Sequence, residues 1–245
     1  MNFRKLIPKP LKLQVQLFRR FFHDLFSGTL FSFAKKSNRH FIFNFTLKYA
    51  QIIKKNSGFQ AKLHNLKKAS KRIENVIIYP NEIFSFWYIV KKPSKKNNYK
   101  PGRTIINGVL TTSSGGGLCQ LSGLVYRVCL EANLEILERH NHSLDLYEDA
   151  TRYYPLGSDA TVVYGYKDLR FRNNFNFPIH FCFVITKDNI SIHLKSTKKI
   201  TKKEVVFKKD NNSNSKIKIN TIVDGNIVAT SIYKRNTNST SKCAK

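Results

Sequence analysis

The chain has 245 residues, 41% of them hydrophobic and 13% aromatic, which allows one sizeable domain with appendages and excludes a disordered or low-complexity chain. Against 15 Asp and Glu stand 43 Lys and Arg, a formal net charge of +28, which draws the chain to polyanions such as nucleic acid, anionic lipid headgroups or acidic wall polymers. Four cysteines (Cys119, Cys129, Cys182, Cys243) without CxxC spacing exclude a zinc ribbon and a disulfide-stapled fold.

Residues 1–45 read as a basic amphipathic arm. Apolar residues at Leu11, Val15, Phe18, Phe22, Leu25 and Phe26 fall at helical spacing, and Lys12, Gln16, Arg19, Arg20 and His23 cover another face. Such a helix either lies on an anionic membrane surface or packs on the protein's own core. The charges interrupting Leu11–Phe26 deny it the apolar centre of a signal peptide, and no run approaches the roughly 20 apolar residues of a membrane span. The expected location is cytoplasmic, with peripheral membrane contact through the arm.

Residues 46–198 form the main domain. Leu63–Glu74 has helical spacing; Ile83–Val90 reads as a strand; Thr104–Thr112 reads as a hairpin turning at Asn107–Gly108. Leu121, Leu124, Val125, Val128, Cys129 and Ala132 predict a helix from Leu118 to about Ala132, stopped by Asn133 in a left-handed conformation. Strict alternation then places Leu134, Ile136, Glu138, His140 and His142 on one face of a strand. Asp159–Tyr166, Asp168–Asn173, Pro178–Ile185 and Asn189–Ser196 read as further strands, with Cys129 and Cys182 in the core. Residues 199–245 hold a hairpin turning at Asp224–Gly225 and a polar tail. The expected fold class is α+β: a central Cys-bearing helix packed on an antiparallel sheet, with a C-terminal β-hairpin extension.

The chemistry concentrates in "SSGGGLCQ" (Ser113–Gln120) and "ERHNHS" (Glu138–Ser143). Gly115, Gly116 and Gly117 sit where a loop enters a helix, so successive N–H groups can point into one anion-binding concavity. The helix N-terminus adds partial positive charge there, which favours a Cys119 thiolate. His140 or His142 can serve as its base or ion-pair partner, and the loop amides can stabilise an oxyanion beside the sulfur. Two plainer readings stand beside this. The glycines permit close packing around a small buried cysteine, or the histidines, roughly 7 Å apart on one strand face, bind a metal with Cys119 or an Asp.

These residues carry a family resemblance. "NEIFSFWYIV", "INGVLTTSSGGGLCQLSGLVYRVCLEANLEILERHNHS", "DATVVYGYKDLRFRN" and "FPIHF" resemble the VanW family in order and spacing, from about Leu63 to Ser196. The matching positions are Gly115, Gly116, Gly117, Cys119, Gln120, Arg139, His140, His142, Asp159, Tyr166, Asp168 and Asn173. Where the family often has Pro-Gly-Glu, this chain has Pro80, Asn81 and Glu82; where it usually has Ser-Thr-Thr, Ser122-Gly123-Leu124 stands. The resemblance implies an association with the cell envelope and peptidoglycan, and with vancomycin resistance in some members.

A cysteine at a helix N-terminus followed by a strand histidine is also the order of papain-like and transglutaminase-like folds, with Asp159 placed to orient the imidazole. Two functions follow. The first is a cysteine-dependent hydrolase or transferase acting on a cell-wall peptide or precursor, with Cys119 as nucleophile, His140 or His142 as base, Asp159 as orienter, and Gly115–Cys119 amides with Gln120 around the oxyanion. The second is a non-catalytic module whose glycine loop, Gln120 and Arg139 hold a carboxylate or phosphate of such a precursor. The sequence calls for no cofactor or metal in either, and nucleic acid ranks last among partners for want of a recognised binding module.

Overall fold

The structure, a computed structural model, describes residues 8–55, 57–106, 109–145, 154–210 and 216–234. It is α+β, with few helices and several sheets whose named strands all pair antiparallel. In chain order come α1 (Lys9–Phe26), β1 (Phe45–Ile52), α2 (Phe59–Glu74), β2 (Ile77–Ile78), β3 (Ile83–Ser85), α3 (Phe86–Val90), β4 (Pro101–Ile106), β5 (Val109–Ser114) and α4 (Leu118–Glu131). Then follow β6 (Glu135–Glu138), β7 (Arg170–Arg172), β8 (Ile179–Ile185), β9 (Asn189–Ser196), β10 (Val205–Asp210), β11 (Lys216–Val223) and β12 (Asn226–Lys234). The strands are ordered β1-β9-β8-β2, β3-β7-β6 and β10-β11-β12, with β4-β5 as a separate hairpin.

Helix α4 is buried nearly all round: Leu121, Leu124, Val125, Val128 and Cys129 lose all solvent contact, and Ser122, Gly123, Tyr126 and Glu131 are buried beside them. A helix apolar on every side belongs in the interior, and α4 packs on β1 and β9 there. Asn133 follows in the left-handed region (φ 55), as the C-terminal stop requires.

Three predicted strands differ from what forms. Ile83–Val90 is strand only to Ser85, whose Oγ accepts the Tyr88 N–H at 3.1 Å and so starts α3. Buried Asp168 completes that switch, accepting from Ser85 Oγ at 2.5 Å and from the Trp87 N–H at 3.1 Å. The strand after α4 ends at Glu138, its last residue paired with β7, after a register shift between Ile136 and Glu138. That shift ends the alternation before the two histidines.

Asp159–Tyr166 is irregular rather than strand. Its backbone is engaged piecemeal, Thr161 N–H donating to His140 O at 2.7 Å and Ala160 O accepting from Ser122 Oγ at 2.5 Å. The C-terminal hairpin turns at Asp224 (φ 47) and Gly225 (φ 82), and β10 adds a third strand. The turn predicted at Asn107–Gly108 lies outside the described residues, between paired β4 and β5.

The N-terminal segment joins the body at several points. Phe33 bridges Ile83 in parallel, and Phe33 and Ala34 are buried. Arg170 grips Asp24 of α1 through two hydrogen bonds, of 2.7 and 2.8 Å, and Arg20 bonds Glu138 at 2.6 Å. Among the described residues, no helix is long and apolar enough to cross a membrane.

Candidate functional site

The glycine turn at the head of α4 is built on three separate steric demands. Gly115 (φ 95) and Gly117 (φ 97) occupy the left-handed region, where a Cβ would meet Pro93 Cβ and Lys62 Cγ respectively, each at 2.8 Å. Gly116 backs onto β4, its Cα only 3.1 Å from where a Cβ on Gly102 would stand. Buried Asn65 ties the turn down, its amide donating to Gly116 O at 3.1 Å and Lys100 O at 2.9 Å. Gly117→Ala should therefore cost about 1–3 kcal/mol of stability, read as a lower Tm in thermal unfolding.

Cys119 lies half-buried in the first turn of α4. Its neighbours' amides are occupied, Leu118 N–H by Gly115 O at 3.2 Å and Gln120 N–H by Gly117 O at 3.0 Å. No backbone acceptor among the described residues takes the Cys119 N–H, one of the free donors a helix start leaves. The thiol donates to Val162 O at 3.8 Å.

His142 meets Asp159 twice: its backbone N–H and its ring Nδ1 each lie 2.6 Å from Asp159 Oδ2. Burial would lower the pKa of this imidazole, but its hydrogen bond to Asp159 and the nearby Cys119 sulfur hold it up at about 10. Burial would likewise raise Asp159, but the hydrogen bond with His142 and the charge of Arg139 hold its carboxyl at about 2. His142 and Asp159 are thus directly bonded, with the Cys119 sulfur near enough to influence the imidazole while its thiol donates to Val162 O.

His140 turns elsewhere, its Nε2 3.0 Å from Glu138 Oε1. The expectation that both histidines share one face fails because the strand has ended. Glu138 also takes Arg20, and these contacts outweigh its burial to hold its carboxyl well below the usual carboxylate range. Among the described residues, no group of three or more His, Cys, Asp and Glu is placed to hold a metal ion.

Arg139, read from the sequence as an anion-binding residue, spends its guanidinium inside the protein. It donates to Asp159 O at 2.7 Å, Gly157 O at 2.9 Å, Asp159 Oδ1 at 3.1 Å and Ser231 Oγ at 2.5 Å, and lies over the Tyr126 ring. Its geometry is that of a brace behind Asp159. The amide of Gln120 donates to Ile52 O at 2.9 Å, while its Oε1 is buried without a partner among the described residues. Cys129 is fully buried and its thiol pKa pushed well up by that burial. Cys182 is half-exposed rather than in the core, on the face of β8 opposite Phe181, and burial raises its thiol more modestly.

The sequence reading missed two groups. Tyr233, at the end of β12, donates its hydroxyl to Asp159 Oδ1 at 2.5 Å and accepts the Gly157 N–H at 2.9 Å. Tyr233→Phe should weaken the carboxylate's support by about 1.5–3 kcal/mol, as loss of a hydrogen bond to a charged group does, with Cys119 still in place. Lys62 packs its stem against Gly117, and burial with repulsion from Lys54 lowers its pKa to about 8. The one sequence signal for Tyr233 is that an aromatic at that register of the hairpin faces inward.

A cleft of about 460 Å³ opens behind this centre, between α4, β6 and the C-terminal sheet, with Tyr126, Arg139 and Thr230 in its walls. Neither Cys119 nor His142 lines it. Of the residues around Asp159, the brace Arg139 lines the cleft.

These features define an α+β protein in which a helix-borne cysteine, an imidazole and a braced buried carboxylate meet. Residues 61–195 match the family model described as VanW like protein, and the chain belongs to that family. It is 40% identical over 124 residues to the Vancomycin B-type resistance protein VanW of Enterococcus faecalis (strain ATCC 700802 / V583), covering 49% of this chain and 45% of that protein. It is 36% identical over 124 residues to the uncharacterized protein YoaR of Bacillus subtilis (strain 168), covering 51% of this chain and 39% of that one. The matched region thus spans less than half the length of either relative. No solved structure matches the chain.

Proposed function

We propose that this VanW-family protein is a cysteine-dependent hydrolase or transferase acting on an amide bond of a cell-wall peptide or precursor, in a setting related to glycopeptide resistance. The observation that carries the reading is the His142 imidazole, hydrogen-bonded to buried Asp159 at 2.6 Å and near enough to the Cys119 sulfur for the two to interact electrostatically. The wall and the resistance setting rest on the family and on the name of the Enterococcus relative.

In this mechanism the Cys119 sulfur attacks the amide carbon, and its proton resides on His142. The carbonyl oxygen becomes an oxyanion next to the Cys119 N–H at the positive end of α4. His142 then protonates the departing amine, leaving a thioester on Cys119. Water or an acceptor amine attacks the thioester, His142 takes the attacker's proton, and the thiol is restored. Asp159 holds the imidazole oriented and charged, with Arg139 and Tyr233 positioning Asp159 in turn. By analogy with papain-like and transglutaminase-like folds, the order of cysteine, histidine and acid fits this scheme, although analogy of order is not function.

The alternative, a non-catalytic module holding a carboxylate or phosphate, loses its main charged contact because Arg139 is engaged internally. The test is mass spectrometry of the protein incubated with a set of wall stem peptides. An acyl adduct on Cys119 in the wild type, absent from Cys119→Ser, is the expected result. Intact peptides and a bare Cys119 across the set, with tight peptide binding, would turn the assignment to the binding module.

A further inference from the structure

The contacts of α1 leave one of its faces bare. At 100° per residue, Leu11, Val15, Phe18, Phe22 and Phe26 fall within an arc of about 80°, and all five are exposed, Phe26 to 84%. Phe31, in the turn that follows, is 75% exposed. The rings stack along the ridge, Phe18 on Phe22 at 6.4 Å and Phe22 on Phe26 at 6.0 Å. A contiguous aromatic ridge on a water-facing surface marks an interaction site.

The opposite face explains why this is not a helix awaiting its own core. Leu13 and Leu17 pack on Gly165, where a Cβ would lie 2.5 Å from Leu13 Cδ1. Arg20 and Asp24 on the same side are clamped by Glu138 and Arg170. The helix is therefore docked, with its orientation fixed and its aromatic side outward.

We infer that this ridge is a docking surface for an anionic lipid bilayer, with α1 lying in the plane of the headgroups. Charge selects that occupant over a second copy of the chain. Lys12 and Arg19 flank the ridge without an ion pair among the described residues, and the exposed His23 side chain lies beside them. The whole chain carries +28. Face-to-face pairing of two such ridges brings cations together, whereas anionic headgroups neutralise them. An apolar ridge bordered by Lys and Arg is the form an interfacial helix takes.

The surface also bears on the reaction, a consequence that rests on the proposed thiol chemistry. Gly165, against which α1 seats, is three residues along the chain from Val162, the acceptor of the Cys119 thiol. Arg20 further bonds Tyr166 O at 3.3 Å and Glu138 at 2.6 Å. Docking therefore anchors at the bilayer the body that carries the thiol centre, and the substrate class becomes a peptide presented there on a membrane anchor.

The test is co-sedimentation of the full chain with vesicles of phosphatidylcholine alone or with phosphatidylglycerol added. Binding to the anionic vesicles should fall by about tenfold or more at raised salt, and again with Lys12→Glu plus Arg19→Glu. Phe18→Ser plus Phe22→Ser, at exposed positions that leave the fold intact, should remove binding to a similar degree. Wild-type binding by the phenylalanine variant would overturn the proposal, because general positive charge would then suffice. A lipid-free dimer, turned to monomer by the same substitutions in sedimentation velocity, would overturn it in favour of a second copy. Cys119→Ser should bind vesicles as the wild type does, so the bilayer surface and the thiol chemistry are read separately.

Discussion

Iodoacetamide at neutral pH should label Cys119 well before Cys129 or Cys182, with each cysteine read separately by peptide mapping. The reason lies in the three surroundings. Cys129 is sealed in the core and Cys182 has its ionisation opposed by burial. Cys119 is half-exposed at a helix N-terminus and lies near an imidazole held up at about 10. An imidazolium beside a sulfur favours the reactive thiolate. His142→Ala, which removes the neighbouring cation, should slow labelling of Cys119. His140→Ala should leave the rate nearly unchanged, since that ring answers to Glu138. Equal loss in both variants would mean the structure's choice between the two histidines is wrong. Labelling of Cys119 only after denaturation would remove it as a nucleophile altogether. Cys119→Ser should in the same terms abolish any acyl transfer while barely altering stability.

That choice between histidines marks where the sequence stops being readable. Periodicity located α4 to within a residue at its C-terminal end, because a helix buried all round repeats its apolar residues without ambiguity. Asp224–Gly225 was equally plain, since both residues adopt the positive φ that such a turn demands. The phase of the two histidines was not, because it depends on a register shift set by β7, a strand more than 30 residues away along the chain. Alternation of residue types in Asp159–Tyr166 did not become alternation of burial, because Asp159, Ala160, Thr161 and Val162 are all buried in succession. A strand needs a neighbour, and this segment's carbonyls serve Ser122 and Cys119 instead.

The candidate site divides in the same way. Cys119 and the glycine turn were visible because a local rule, glycines before a helix, announces them. Asp159 was visible by its place in the family pattern. Its brace was not. Arg139 looks like a free cation in sequence, and only the fold shows that Gly157, Asp159 and Ser231 consume its donors. Tyr233 and Ser231 come from a hairpin that reads as an appendage, yet β12 supplies two of the side chains behind the carboxylate. The C-terminal sheet is thus part of the support of the candidate site.

Removing the carboxylate should therefore be the most damaging single change in the molecule. In Asp159→Ala, the Arg139 guanidinium, 6% exposed, remains buried without its counter-charge, and His142 and Tyr233 lose their shared partner. Breaking a buried pair from one side costs roughly 3–5 kcal/mol, which for a chain of this size lowers Tm by about 10 °C or more. The pH dependence gives the signature that separates this pair from simple packing loss. Asp159 is held at about 2, below an ordinary aspartate near 3.9, so its contribution is full above about pH 4 and is lost as pH falls through 2. His142 is held up at about 10, above an ordinary imidazole near 6.5, so its contribution is full below about pH 6.5 and is lost as pH rises through 10. Both limbs report one interaction, with its plateau between roughly pH 4 and 6.5. Asp159→Asn, which keeps the shape and removes the charge, should flatten both limbs in thermal unfolding across pH. A variant that lowers Tm equally at every pH would show that Asp159 matters for packing alone, and the orienting role assigned to it would fall.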